Sequence, residues 1–316
     1  MKINIHTQTF NEPWWAANPH IQTIASSFFQ TIRPVHYRRI EIPTHDGDFL
    51  ELDLIENDKC RRCAVLFHGL EGNSTRFYIQ NLAHSLAEAK WNVVAVNFRG
   101  CGSRLNNKPY SYHAGFTPDY HTVFAWVMKQ MLPDRLVAAG FSLGGNALLK
   151  YLGDQGSAQP LQSAAVISPP YDLLQGALKL QTGFNRVYDQ YFIRSVSAKL
   201  QKHRQRFPDL PAFTGKSLYD FDDQITATLH GYASADDYYN SNSSKLFIPE
   251  IETETLILHS MDDPICPIQY APFDVMKEKA NIHTLFTEKG GHVAFWSQQE
   301  NWLNKRIVNW FETGNL

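Results

Sequence analysis

The sequence predicts an α/β domain: a mostly parallel β-sheet with helices on both faces, interrupted by a helical insertion over residues 171–248. Three observations predict it. From residue 63 onward, short apolar runs alternate with helical patterns, as βαβ units around a sheet buried on both faces require. The alternation stops after Pro169-Pro170 and resumes at residue 253. A serine framed by glycines, Gly140-Phe141-Ser142-Leu143-Gly144, falls between an apolar strand and a run of helix formers.

In chain order, residues 33–55 read as an antiparallel hairpin. RPVHYRRIEIP leads into the turn THDGD, and FLELDLI then alternates apolar with acidic residues. CAVLFH is the first buried-type strand. The loop HGLEGNST and the helix RFYIQNLAHSLAEAK follow it. WNVVAVNF is the next strand, and a helix over 117–131 follows, with Thr117 as N-cap and Pro118 at the first helical position. DRLVAAGF, the helix GGNALLKYLG and the strand SAAVIS continue the alternation. Within 171–248, LLQGALKLQ and VYDQYFIRSVSAKLQKHRQRF read as helices and no core-type strand is visible. TETLILHS, APFDVMKEKA, NIHTLFT and QENWLNKRIVNWF then complete the sheet and its last helices. The expectation is one catalytic domain spanning 1–316, with 171–248 as a lid or cap inside it.

Composition narrows the function classes. A chain of 316 residues buries a substantial core. Apolar residues at 43%, charged residues at 19% and a net charge of −2 are those of an ordinary soluble globular protein. No sustained basic run points to nucleic acid, and Lys199–Arg206 reads as a solvated helix face. No segment approaches the ~18 consecutive apolar residues of a membrane span. The N-terminus MKINIHTQTFNEPWW lacks an apolar signal region, so the expected location is the cytosol. Four cysteines (Cys60, Cys63, Cys101, Cys266) are too few for a disulfide framework. Cys60 and Cys63 form a CxxC with no second pair to close a zinc site. No metal and no cofactor is expected.

The serine motif carries the chemistry. A sharp strand-to-helix turn leaves no room for Cβ atoms around the serine, which explains Gly140, Gly144 and Gly145. Such a turn projects the Ser142 hydroxyl from the sheet at a helix N-terminus, where orphan N–H groups favour developing negative charge. A tetrahedral intermediate needs preset N–H donors. Leu143, directly after the serine, supplies one. Leu70 in His68-Gly69-Leu70-Glu71-Gly72, directly after the CAVLF strand, supplies the other. His68 reads as a holder of that loop rather than a catalytic group.

The acid and base follow the serine in the chain order that accompanies this motif in its fold, Asp or Glu and then His. Asp262 and Asp263 stand just beyond the strand TLILHS. Asp263 is chosen because Pro264 holds it extended, which leaves Asp262 as a turn residue. Gly290-Gly291-His292 follows the last strand, and its glycines let the chain carry the imidazole over the sheet. His283 reads as structural, and His259 as lining the pocket.

These residues resemble the AB-hydrolase superfamily, and within it the AB-hydrolase-4 family of bacterial hydrolases and eukaryotic acyl-ester hydrolases. The resemblance rests on Asn18-Pro19-His20-Ile21-Gln22-Thr23, HGLEG at 68–72, NFRGCGS at 97–103, GFSLGGN at 140–146, DDPICP at 262–267 and GGHVAFW at 290–296, with Tyr219-Asp220-Phe221-Asp222-Asp223 in the insertion. It implies the α/β-hydrolase fold, the triad Ser142, Asp263 and His292, and hydrolysis of carboxylic or lipid esters. Eukaryotic members often begin with a membrane-spanning helix, and no such run occurs in this sequence. The expected substrate is a small-molecule ester, short- to medium-chain or lipid, with an apolar acyl group. Other readings of the same residues are an acyltransferase to an alcohol, a thioesterase or peptidase, and a non-enzymatic binding protein on a hydrolase scaffold.

Overall fold

The structure, a computed structural model, describes residues 10–57 and 60–315. The first nine residues, on which the reading of the N-terminus partly rests, lie outside the described residues.

Helix α1 (Pro19–Phe29) precedes the sheet. Asn18 caps it by accepting from the His20 and Ile21 N–H groups, and Pro19 takes the first helical position. The sheet comprises β1 (Arg38–Pro43), β2 (Phe49–Ile55), β3 (Arg62–Phe67), β4 (Asn92–Asn97), β5 (Arg135–Phe141), β6 (Ser163–Ile167), β7 (Glu254–Ser260) and β8 (Ile282–Thr287). Their order is β1-β2-β4-β3-β5-β6-β7-β8. The expected hairpin is β1–β2, with Arg38 opposite Leu54 and Pro43 opposite Phe49. β2 also pairs antiparallel with β4, and every other neighbour pair is parallel.

Helices α2 (Phe77–Glu88), α3 (Pro118–Gln130) and α4 (Leu143–Gln155) connect β3 through β6. Pro118 opens α3 as expected, but Thr117 does not cap it. Its own backbone is helical (φ −71°, ψ −18°), so its hydroxyl makes no capping bond. Residues 171–248 hold α5 (Leu173–Leu180), α6 (Arg186–Arg206), α7 (Leu218–Phe221), a π-helical turn over Asp222–Ala227, α8 (Thr228–His230) and α9 (Ala235–Asn242), and no strand. Helices α10 (Phe273–Glu278) and α11 (Trp302–Thr313) follow β7 and β8.

Strand periodicity divides the core into two layers. Val65, Phe67, Val94 and Val96 pack with α3, α4 and α10, while Ala64, Leu66, Val93 and Ala95 pack with α2 and α11. Each fully buried valine or leucine contributes ~1.5–3 kcal/mol relative to exposure.

The insertion is tied to this core by polar contacts. Asn146 of α4 donates to the Ala114 and Asn242 carbonyls and accepts from the Ser244 N–H. The reading of Lys199–Arg206 as a solvated face is corrected. Leu200 and His203 are buried, and the Lys199 side chain is only 13% exposed because its ammonium pairs with Glu71. The helical period places residues 196, 199, 200, 203 and 206 toward the domain, where Arg206 donates to the Asn106 carbonyl, and leaves Lys202 and Arg204 on the outer side.

Candidate active site

Strand register brings the site loops together. Phe67 at the end of β3 stands opposite Gly140 of β5, so the loop after β3 runs beside Ser142. Ser260 of β7 stands opposite Thr287 of β8, which sets the Asp262–Asp263 loop beside Gly290–His292. All lie at carboxyl ends of parallel strands, where α/β sheets gather ligand chemistry.

Ser142 occupies a backbone conformation that side chains rarely adopt, φ 51° and ψ −121°. Such strain costs ~1–3 kcal/mol and persists only where the surroundings over-determine it. The surroundings here are glycines. A Cβ on Gly140 would meet the Gly144 carbonyl at 2.7 Å, and one on Gly145 would meet Val166 at 2.8 Å. The Ser142 N–H donates to the Ile167 carbonyl at 2.8 Å, which fixes the turn to β6.

The serine, histidine and aspartate form a continuous chain. His292 Nε2 lies 2.9 Å from Ser142 Oγ, and His292 Nδ1 lies 2.8 Å from Asp263 Oδ2. Asp263 Oδ1 accepts from the Ile265 and Cys266 N–H groups at 2.8 and 2.9 Å, so both oxygens are engaged and the carboxylate is fixed. Asp262 does more than turn the chain. Its Oδ1 accepts from the Gly291 N–H at 3.0 Å and ties the aspartate loop to the histidine loop.

His259 does not line the pocket. It is fully buried beneath the Asp263 loop, with Nε2 at 2.9 Å from the Cys266 carbonyl and 3.4 Å from Asp263 Oδ2. Burial pushes its imidazole down to about 4, which keeps it neutral. His68 holds its loop as expected. Its Nε2 accepts from the Phe98 N–H at 3.2 Å, so Nδ1 carries the proton and donates to the Gly69 carbonyl at 2.7 Å. Burial pushes it down to about 3. His283 pairs with Glu254 at 2.8 Å across β8 and β7, away from the site.

In the loop after β3 the backbone donors divide. Gly69 N–H donates to Tyr78 Oη, Glu71 N–H to Tyr112 Oη, and Gly72 N–H to the Gly69 carbonyl. Leu70 N–H has no protein acceptor among the described residues. Leu143 N–H, at the first position of α4, has none there either. Leu70, Leu143 and Ser142 line one cavity beneath the insertion. Its walls are largely apolar, with Leu173, Ala177, Val196 and Ile225 contributed by the insertion and Ile265 by the aspartate loop.

The side-chain donors of Asp263, Cys266 and His292 lie within 4.8 Å of one another, close enough to share a metal ion. Asp263 and His292 are instead hydrogen-bonded to each other, and burial pushes the Cys266 thiol well up, so it stays protonated. The CxxC is not such a group. Cys63 is buried in β3 beside Met131, and all four cysteines are free.

Sequence reasoning missed the buttress under His292. Thr23 Oγ1 of α1 accepts from the His292 N–H at 3.0 Å. Gln22 exchanges two hydrogen bonds with the Trp296 backbone, at 2.9 and 3.0 Å. Gly291 has φ +62°, and a Cβ there would meet Gln22 and Thr23 at 2.7 and 2.8 Å. The NPHIQT run, singled out from sequence only as a family phrase, is the segment that holds this loop.

Comparison with known proteins agrees with this architecture. The model of the alpha/beta hydrolase fold family matches residues 65–299. YheT of Escherichia coli K12, a protein provisionally named an esterase, is 32% identical over 312 residues, covering 94% of this chain and 91% of its own length. Human phospholipase ABHD3 is 29% identical over 316 residues, covering 95% of this chain and 77% of ABHD3. The solved esterase Pf2001 of Pyrococcus furiosus superposes with a TM-score of 0.60 at 15% identity, over 89% of this chain and 97% of that one, and so shares the fold. The chain belongs to the α/β-hydrolase superfamily, in its AB-hydrolase-4 branch.

Proposed function

We propose that this protein hydrolyses carboxylic esters, of short- to medium-chain acyl groups or of lipids, through an acyl-enzyme on Ser142. The observation that carries the reading is the hydrogen-bonded line from Ser142 Oγ through His292 to Asp263, with the serine held at positive φ. His292 Nε2 takes the Ser142 proton as Oγ attacks the ester carbonyl. Asp263 accepts from Nδ1–H, holds the tautomer and stabilises the imidazolium. The free Leu70 and Leu143 N–H groups receive the oxyanion. His292 then protonates the leaving alcohol, and water attacks the acyl-enzyme by the same steps reversed. In this reading 171–248 is a cap whose apolar side chains receive the acyl chain. The relatives' names support ester cleavage as the reaction class, since one is a provisional esterase and the other a phospholipase.

The test is a series of p-nitrophenyl esters from acetate to laurate, run with and without added butanol. Rising kcat/KM from acetate to octanoate, with free acid as the main product, is the expected result. Butyl ester as the main product would instead make the protein an acyltransferase. Cleavage of peptide amides but not esters would sink the reading.

A further inference from the structure

The cavity over Ser142 is mostly apolar, yet it contains a carboxylate that the proposed chemistry does not use. Asp222 lines it from the π-helical turn that joins α7 to α8. π-turns are rare and are often retained at functional sites. Asp222 Oδ1 accepts from the Thr226 hydroxyl at 2.7 Å, and Oδ2 accepts from the Tyr239 hydroxyl at 2.6 Å. Both donors are neutral, and no lysine or arginine pairs with this carboxylate among the described residues. Burial pushes its carboxyl up to about 6.

A tether between the π-turn and α9 does not by itself call for a carboxyl group. Asp222 is half-buried, where a carboxyl group is costly to desolvate, and a neutral amide would accept a hydroxyl at lower cost. Each oxygen of Asp222 accepts one hydrogen bond and has capacity for another. The partly exposed surface of Asp222 borders the cavity that it shares with Ser142. Ser142 and Asp222 thus open into one cavity, and a substrate that fills it meets both. Both present partners of Asp222 are hydroxyl groups, and a hydroxyl on the substrate is a donor of the same kind.

We propose that Asp222 is a binding residue that accepts a hydrogen bond from a hydroxyl group on the substrate, remote from the scissile ester. The proposal rests on the ester-hydrolase reading. The hydroxyl belongs either to the acyl chain or to the alcohol half, and paired substrates separate the two. One arm compares p-nitrophenyl ω-hydroxyoctanoate with p-nitrophenyl octanoate. The other compares glyceryl monooctanoate with propyl octanoate.

The expected result is a preference of about tenfold or more in kcat/KM for the hydroxylated member of one arm, because a site built to bond a hydroxyl rejects its absence. Asp222→Leu is expected to cut that preference to about twofold or less. Tyr239→Phe removes one donor and keeps the carboxylate, so the preference should survive it. Wild-type protein that cleaves the plain octanoates without preferring either hydroxylated partner overturns the proposal, as does an Asp222→Leu variant that keeps the preference. If the Asp222 variant does not fold, the wild-type comparison decides alone. Failure to cleave any of the four esters would remove the ester-hydrolase reading and the subsite with it. That outcome is distinct from cleavage without preference.

Discussion

The hydroxyl of Thr23 and the backbone N–H of His292 meet at 3.0 Å across 269 residues of sequence. Helix α1 thereby holds the loop that presents the imidazole to Ser142, and the same helix touches the insertion where His20 Nδ1 lies 3.0 Å from Tyr188 Oη. Thr23→Val keeps the shape and removes the acceptor. It is expected to lower kcat about tenfold with little change in KM, because misplacing a reacting group is felt mainly in the chemical step. Steady-state kinetics on p-nitrophenyl butyrate checks this, and a change confined to KM would refute it.

Ser142 stores backbone strain that glycine would not feel. At ordinary positions glycine is less stable than alanine by ~0.5–1 kcal/mol. At φ 51°, ψ −121° the order should reverse, with Ser142→Gly more stable than Ser142→Ala by ~1 kcal/mol. Urea unfolding of the two variants reads the sign directly.

The Lys199–Glu71 pair is buried on both sides, with side-chain exposures of 13% and 6%. Ser195 of the same helix also donates to Glu71, at 2.7 Å. Helix α6 is thus clamped to the residue next to Leu70. Lys199→Met leaves a buried carboxylate without its cation and should cost ~3 kcal/mol. Adding Glu71→Gln should recover most of that loss. Chemical denaturation of wild type, both single variants and the double variant checks the coupling, and simple additivity would show that the pair is not a clamp.

Buried histidines set the acid side of the stability profile. His68 and His259 are held at about 3 and about 4 when folded, against 6.5 when unfolded. The unfolded chain therefore binds their protons first. Their contribution is fully present above pH 6.5 and is lost as pH falls toward 4 and then 3. His68→Gln should reduce the slope of unfolding free energy against pH by up to ~1.4 kcal/mol per pH unit in that window. An unchanged slope would mean that His68 titrates alike in both states.

The parallel strands were legible because burial on both faces makes them continuous apolar runs, as in CAVLFH and NVVAVN. The meeting of Ser142, Asp263 and His292 was legible because each follows a recognisable strand, and the sheet register carries those strand ends to one place. Thr23, Glu71 and Lys199 were not. Their roles depend on which distant loop each one faces, and local periodicity holds no record of that. Lys199 shows the limit: its basic, polar neighbourhood reads as solvent-facing until the partner, Glu71, is placed. Thr117 shows another, since a capping residue type caps nothing when its own backbone is already helical.

Ser142 is proposed here as the nucleophile. Its most direct test is hydrolysis of p-nitrophenyl butyrate by wild type and by folded Ser142→Ala. Losing the nucleophile of such a triad is expected to cut kcat by ~10⁴-fold or more, leaving only the rate that binding and the oxyanion donors sustain. Turnover that survives in Ser142→Ala at the wild-type level would contradict the account.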